Sequence, residues 1–439
     1  MKILRSWEDE EVIDEILNRS PAVLINEEIE KRVREIINGV RLGGDEALLE
    51  YTLKFDGVKL GPSELRVTEE EIEEARASVD REIKDALSLA KSNIEEFHRE
   101  EALKFKSWQK EDEEGIVLGQ IYRPIEKVGV YVPAGTAPLF STVLMACVPA
   151  KVAGVKQIAI TTPPKRDGKV DPYTLTAAKM VGVDEIYKVG GAQAIAALAF
   201  GTATIPKVDK IVGPGNIYVT AAKRALYGYV GLDTLAGPSE VAILADEGAN
   251  PSYIAADMLA QAEHGLDAGI LLVTTSEMVA KEVENSLAKQ TKKLGRKEFI
   301  SSSISKASVI LTKELDEAIS FVNRYAPEHL ELFVEDPLNV AKKVTNAGAI
   351  FAGPYSPTSL GDYFAGPSHV LPTFGAAKFS SPLSVADFLK SSSLISYNKS
   401  SLKKSSQAII KMAELEGLDG HAQSVRIRME DFHRQIQEK

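Results

Sequence analysis

The sequence predicts an α/β fold: two βαβ-type domains with parallel sheets, an N-terminal helical segment and a small C-terminal helical tail. Three observations carry this. Up to about residue 100 the apolar residues recur only at helical spacing. From residue 116 onward apolar strand-like runs alternate with helical stretches, about 25–30 residues from one strand to the next, as βαβ crossovers require. After residue 384 the strands stop, and a Ser/Lys-rich stretch leads into two short helices.

In order, helices are expected over 7–18 and 26–39, the second with Asn26 as its cap and Glu27 and Glu28 in its first turn, where carboxylates suit the helix dipole. Thr68 with Glu71 forms a capping box for a third helix running through Phe97. His98, among Glu95, Glu96, Arg99 and Glu100, reads as a surface histidine. Strands follow over 116–122, 127–132, 157–161, 185–189 and 208–212, with helices over 141–152, 173–181 and 192–200. Three of these strands enter glycine-bearing turns: Pro133-Ala-Gly-Thr-Ala-Pro138, Gly190-Gly-Ala-Gln193 and Gly213-Pro-Gly-Asn216. Turns at the carboxyl ends of parallel strands are where such sheets bind ligands, and glycine lets backbone amides approach a phosphate. That suits a dinucleotide, although GxGxxG is absent and tight turns without a ligand would read the same.

A second run has strands over 241–245, 269–273, 308–312, 330–334 and 349–352, with helices between them. Residues 353–376 read as loop. The expected domains are an N-terminal helical arm (1–25), a first α/β domain (26–130 with 241–383), a second (131–240) and a tail (384–439), which is too small to bury much core unaided and should dock on the body or on a partner subunit.

A net charge of −11 argues against nucleic acid or an anionic membrane as the main partner. No apolar run has transmembrane length and the start of the chain lacks a signal-peptide core, so a cytoplasmic protein is expected. The single cysteine, Cys147, lies in the apolar run Leu144-Met-Ala-Cys-Val148 and reads as a buried hydrophobe rather than a nucleophile.

The chemistry collects around histidines. Gln261 and His264 are three apart in Asp257-Met-Leu-Ala-Gln-Ala-Glu-His264, after Asn250-Pro251, with Asp257 one turn earlier on the same side. Such a pair can grip one metal ion; it also fits a polar stripe satisfied by a neighbouring element. His329, His369 and His421 sit at element ends or in loops, each near an acid: Glu328, Asp362, and Glu416 or Asp419. Histidine with carboxylate supplies metal ligands or an acid/base pair. Spacing alone does not bring the four stations together.

The motifs Ala236-Gly-Pro-Ser-Glu240, Asp257 to His264, Arg324-Tyr-Ala-Pro-Glu-His-Leu330, Gly361-Asp-Tyr363, His369-Val-Leu-Pro-Thr373 and His421-Ala-Gln-Ser-Val425 resemble, in order, those of the histidinol dehydrogenase family. Tyr131-Val-Pro133, the stretch from Ala137 to Met145 and Gly213-Pro-Gly-Asn216 extend the resemblance over nearly the whole chain. It implies incomplete Rossmann-like sheets and oxidation of L-histidinol through the aldehyde to L-histidine, the last steps of histidine biosynthesis, with two NAD reduced. It also implies one zinc per subunit, held by Gln261, His264, Asp362 and His421, the last reaching across a homodimer. Glu328 and His329 match the family's acid/base residues. Ser239, Gln261, His264, His329, Asp362, His369, Glu416 and His421 match substrate contacts, and Tyr131, Gln193 and Asn216 match dinucleotide contacts. Two other readings use the same residues: a zinc-dependent hydrolase with Glu328 activating water, and a non-catalytic relative that only binds ligand.

Overall fold

A computed structural model describes residues 1–20, 25–134 and 138–437, with side chains through 430. Residues 21–24 of the expected arm, 135–137 of the first glycine-bearing turn and the side chain of His433 lie outside the described residues. The chain begins with β1 (Lys2–Arg5) and α1 (Glu10–Leu17), then runs through α2 (Glu27–Asp56), α3 (Glu69–Ser78), α4 (Arg81–Ala102), β2 (Trp108–Glu111) and β3 (Val117–Pro124). The first α/β run is β4 (Lys127–Tyr131), α5 (Ser141–Ala153), β5 (Gln157–Thr162), α6 (Pro172–Val181), β6 (Glu185–Lys188), α7 (Gly191–Phe200), β7 (Lys210–Val212), α8 (Ile217–Leu226) and β8 (Gly231–Leu232). The second is β9 (Glu240–Ala245), α9 (Pro251–Ala262), β10 (Gly269–Thr274), α10 (Glu277–Gln290), α11 (Lys297–Lys306), β11 (Ser308–Leu311), α12 (Leu315–Tyr325), β12 (His329–Phe333), α13 (Pro337–Lys343), β13 (Ala349–Ala352) and α14 (Thr358–Tyr363). The last elements are β14 (Leu389–Ser396), α15 (Lys399–Leu415) and α16 (Asp419–Gln437).

Two compact units result: residues 1–102 with 124–388, and residues 103–123 with 389–439. The first holds two parallel sheets. One has six strands in the order β1-β11-β10-β9-β12-β13; the other has five, β6-β5-β4-β7-β8. The α/β class with parallel sheets and a helical tail is therefore as expected. Alternation along β9 shows how strand sequence makes layers. Val241, Ile243 and Ala245 join the core formed with α9 and α10, while Ala242 and Leu244 join the opposite core with α12.

Several boundaries differ from expectation. The helix from Asn26 does not stop at Gly39. It continues to Asp56, with a kink where Gly44 takes φ 54°. Glycine costs a helix about 1 kcal/mol, but Val33, Ile36, Ile37, Val40 and Leu48 are buried with the helices of the five-stranded sheet. Packing outweighs propensity there. The helix from Thr68 breaks at Val79 into α3 and α4. The stretch 27–102 does not pack on the six-stranded sheet, as the expected domain 26–130 with 241–383 assumed. α2 lies on α7 and α8, α3 on α6, and α4 on α5. The N-terminal arm is not purely helical, because β1 pairs with β11 as an edge strand. Residues 353–376 are not all loop, since α14 lies within them.

His98 is a further correction. It is fully buried, with Nδ1 2.9 Å from Glu101 Oε2, which also accepts the Val385 N–H at 2.8 Å. Its charged sequence neighbours disguised the fact that Leu87, Ala90, Ile94 and His98 form the inner stripe of α4. Cys147 is buried on α5 as expected, and burial pushes its thiol up to about 12.

The second unit is a three-stranded sheet, β14-β3-β2, with β2 and β3 antiparallel, and the paired helices α15 and α16. The turn between β2 and β3 anchors α15. The Glu114 carbonyl accepts from Asn398 Nδ2 and Ser401 Oγ, each at 2.6 Å, and its carboxylate pairs with Lys404. Residues 103–123 thus belong with the tail, which the sequence reading began at 384. Among the described residues, no helix is long and apolar enough to cross a membrane.

Candidate functional site

The site is built at the amino-terminal ends of β9 and β12, which are neighbours in the six-stranded sheet. Ser239 and Glu240 bring the chain into β9; Glu328 and His329 bring it into β12, with His329 in register with Val241. The Glu328 carboxylate is buried. Its Oε2 accepts the Ser239 hydroxyl at 2.8 Å and the Glu240 N–H at 2.7 Å. Burial pushes Glu328 up to about 7, against the opposing pull of His329 and these donors. The residue is therefore poised to gain or lose a proton near neutrality.

His329 Nδ1 lies 2.9 Å from the Glu240 carbonyl oxygen. A carbonyl only accepts, so Nδ1 carries a proton and Nε2 is the ring nitrogen left for an outside group. Nε2 is 3.8 Å from Asp362 Oδ1. Asp362 sits near the end of α14, which lacks a side-chain cap of its own; the Thr358 N–H at its start donates to Glu331 Oε1 at 2.9 Å. His329 and Glu331 are two apart on one strand and share the face that α9 covers. Glu331 meets Asp257 of α9 there. Burial, then the charge of Asp257, drives the Glu331 carboxyl well above the usual range, and burial raises Asp257 to about 6. Asp257 therefore pairs with Glu331, one turn before Gln261 on α9.

Gln261 is in the last turn of α9 and is 2% exposed, with Nε2 buried and without a partner among the described residues. His264 follows the helix end, its N–H bonded to the Gln261 carbonyl at 3.2 Å. Desolvation lowers His264 from its ordinary value, with Asp362 and His329 near enough to act on it. His369 is likewise lowered by burial and feels Asp362, His329 and His264; its Nε2 lies 3.1 Å from Ser141 Oγ, at the start of α5. The first unit therefore gathers Gln261, His264, Glu328, His329, Asp362 and His369, with Ser239 beneath Glu328. Glu416 and His421 belong to the second unit, exposed between α15 and α16 and in the first turn of α16.

The metal question turns on the donor set. Among the described residues, no three His, Cys, Asp or Glu side chains are gathered so as to hold an ion. His264 and Asp362 supply two such donors, and Gln261 adds a buried amide whose oxygen can ligate and whose nitrogen has no partner among the described residues to hold it in another orientation. A mixed N/O set of this kind is one that zinc accepts. Desolvation disfavours the charged form of His264, and the neutral form is the one a metal requires.

The residues expected to meet a dinucleotide line the carboxyl ends of the five-stranded sheet. The buried Tyr131 ends β4, and its hydroxyl accepts the Gly191 N–H at 3.1 Å. Gln193, 2% exposed, is in the first turn of α7. Asn216 caps α8, its Oδ1 accepting from Tyr218 and Val219 at 3.0 and 3.1 Å. At Gly213, φ is 112° and a Cβ would lie 2.2 Å from the Tyr131 carbonyl oxygen, so only glycine fits. The buried Lys223–Asp233 pair fixes this turn: Lys223 Nζ donates to the Gly213 carbonyl at 2.5 Å, and Asp233 accepts the Gly213 N–H at 2.8 Å.

Sequence reasoning missed Glu331 and Glu240 as parts of this assembly. A glutamate inside the apolar strand 330–334, two residues from His329, was a readable signal for Glu331. Glu240 was in a quoted motif but had no role assigned. Arg19, which pairs with Glu240, carries no sequence signal.

A buried carboxylate pushed up to about 7 beside an imidazole whose Nε2 faces Asp362, on an α/β scaffold with glycine-bearing turns on its neighbouring sheet, is an arrangement of the class able to move protons on a small polar substrate. Comparison with known proteins makes the class specific. Residues 21–429 match the family described as histidinol dehydrogenase. The histidinol dehydrogenase of Caldanaerobacter subterraneus subsp. tengcongensis is 51% identical over 418 residues, 95% of this chain and 96% of its own. That of Bacillus cereus (strain ATCC 14579) is 50% identical over 414 residues, 94% and 95% of the two chains. The crystal structure of histidinol dehydrogenase from Elizabethkingia anophelis superposes with a TM-score of 0.92 at 39% identity, covering 99% of each chain. The chain belongs to the histidinol dehydrogenase family and is an oxidoreductase.

Proposed function

We propose that the protein catalyses the NAD-dependent, zinc-assisted, four-electron oxidation of L-histidinol to L-histidine through the aldehyde, completing histidine biosynthesis. The observation that carries this reading is the Glu328–His329 pair: two proton acceptors side by side, one held with Nε2 free, the other tuned to about 7. The first oxidation needs a base for the hydroxyl proton, because hydride leaves more readily from an alkoxide; His329 Nε2 is that base. The second needs water added to the aldehyde; Glu328, hydrogen-bonded by Ser239, takes the proton from that water. His369 is a substrate contact on the side of the five-stranded sheet. Tyr131, Gln193 and Asn216 hold the dinucleotide over the glycine-bearing turns.

Gln261, His264, Asp362 and the partner subunit's His421 would hold the zinc, which would supply a Lewis-acidic anchor that orients the substrate. Glu416 of the partner subunit completes the substrate contacts in a homodimer that shares its sites. A bound NAD would supply the hydride acceptor for each half-reaction.

The test is absorbance at the NADH band with protein, L-histidinol and NAD, with and without chelator. Two NADH per histidinol, lost on chelation and restored by zinc, are expected. One NADH would sink the role of Glu328 in the second step. None from folded, zinc-loaded protein would leave a hydrolase or a binding protein. For the shared site, inactive His264→Ala and His421→Ala subunits are expected to regain activity when mixed; a verified heterodimer without activity would refute it.

A further inference from the structure

Glu240 is 1% exposed and spends every polar atom it owns on holding other backbone and side-chain groups. Its N–H donates to Glu328 Oε2 at 2.7 Å and its carbonyl accepts from His329 Nδ1 at 2.9 Å. Its Oε1 accepts the N–H of Glu328 at 3.3 Å and of Phe374 at 3.1 Å. Phe374 has φ 56°, a conformation an aromatic residue keeps only when its surroundings impose it. The other oxygen, Oε2, pairs with Arg19 Nη1.

A carboxylate this deep requires a fixed counter-charge. Arg19 supplies it from a segment distant in sequence. Its guanidinium lies 3.4 Å above the Tyr325 ring centroid and 5.4 Å from that of Phe374, and Nη2 donates to the Tyr325 carbonyl at 2.5 Å. Tyr325 closes α12, three residues before Glu328, and Ala326 after it takes φ 52°. The chain therefore turns sharply between α12 and the Glu328–His329 pair, with the arginine gripping one side of that turn and the arginine-held carboxylate the other.

We propose that Arg19 and Glu240 are positioning residues: the buried ion pair sets the orientation of the Glu328 backbone, and with it the mutual placement of the Glu328 carboxylate and His329 Nε2. Neither residue touches substrate. The inference rests on the reading of Glu328 and His329 as the two bases, and wild-type turnover in the same assay tests that reading separately. Displacement of a base by about 1 Å costs up to about 10²-fold in rate, whereas the groups that would anchor the substrate through zinc and hold the dinucleotide lie on other elements: Gln261 and His264 at the end of α9, Asp362 on α14, and Tyr131, Gln193 and Asn216 at the five-stranded sheet.

The experiment uses full-length, zinc-loaded Glu240→Gln, Arg19→Met and the double variant, each checked for folding by circular dichroism and thermal melting. The expected result is a fall in kcat of about tenfold to a hundredfold in each single variant, with KM for histidinol and for NAD within about threefold of wild type. The double variant should be no worse than the poorer single, because both residues act on one element. Should either single variant fail to fold, Arg19→Lys, which keeps the charge but loses the planar stacked fork, takes its place with the same expectation. Folded variants with kcat within twofold of wild type would overturn the proposal. So would losses that appear in KM, or that add in the double variant, since either marks general loosening rather than positioning.

Discussion

The two parallel sheets of the first unit prepare their sites by different means. The five-stranded sheet offers backbone: glycine-bearing turns at the carboxyl ends of its strands and the N-termini of α7 and α8. The six-stranded sheet offers side chains at the amino ends of β9 and β12, where a carboxylate and an imidazole face one another. Backbone can grip a large anionic ligand with few constraints beyond loop shape. Side chains able to exchange protons act only from a fixed position, and the second sheet surrounds this pair with hydrogen bonds. The Lys223–Asp233 pair stiffens a turn in the first case; Ser239 and Glu240, the latter paired with Arg19, hydrogen-bond the Glu328–His329 pair in the second.

This contrast predicts a graded set of responses. Glu328→Gln keeps the shape but not the proton affinity, and is expected to cost about 10³-fold in kcat for aldehyde oxidation. The wild-type rate should rise through about pH 7, because Glu328 acts once it has lost a proton it holds unusually tightly; that limb should vanish in the variant. Pre-steady-state NADH formation across pH measures both, and an unchanged limb would remove Glu328 from the chemistry. Next, Lys223→Met leaves Asp233 buried without its partner and is expected to cost about 3–5 kcal/mol of stability, read from urea unfolding; a loss under 1 kcal/mol would show that the pair does not stiffen the turn. Gly213→Ala should raise KM for NAD about tenfold, about 1.4 kcal/mol, while kcat changes less, since the intruding Cβ meets the Tyr131 carbonyl and not the Glu328–His329 pair. A reversed pattern would break the division of labour between the sheets. Last, Asn216→Ala removes the cap of α8 and should lower stability by about 1 kcal/mol, with a further rise in KM for NAD if the side chain also meets the cofactor.

What the sequence revealed follows the same division. Strand and helix order was legible because apolar periodicity and glycine turns are local signals, and the histidine stations stood out by residue type. Register was not legible. Nothing local indicates that β1 adds to β11, that residues 27–102 pack on the helices of the five-stranded sheet, or that His98 faces inward, since each depends on which apolar faces meet. The support of the site was hidden for the same reason. Arg19 lies 221 residues from Glu240 in sequence, and a lone arginine after a helix has no distinguishing neighbours. Glu331 was closer to view, because a glutamate two residues after His329 in an apolar strand must face the same layer. Asp362 was visible as a residue, but its dependence on a cap lent by Glu331 arises only in three dimensions.

The packing of α5 also restricts the chemistry. Cys147 is the chain's only sulfhydryl, sealed among Val143, Leu144, Met145 and Val148, and its proton is held up to about 12. An electrophilic carbonyl formed in the proposed reaction meets no thiolate, so no thiohemiacetal or thioester can store it between the two half-reactions. Retention of that carbonyl then falls to fit, charge and the oxygen and nitrogen groups of the site, not to a bond to sulfur, and a thiol-directed alkylating agent finds no reacting group to block there.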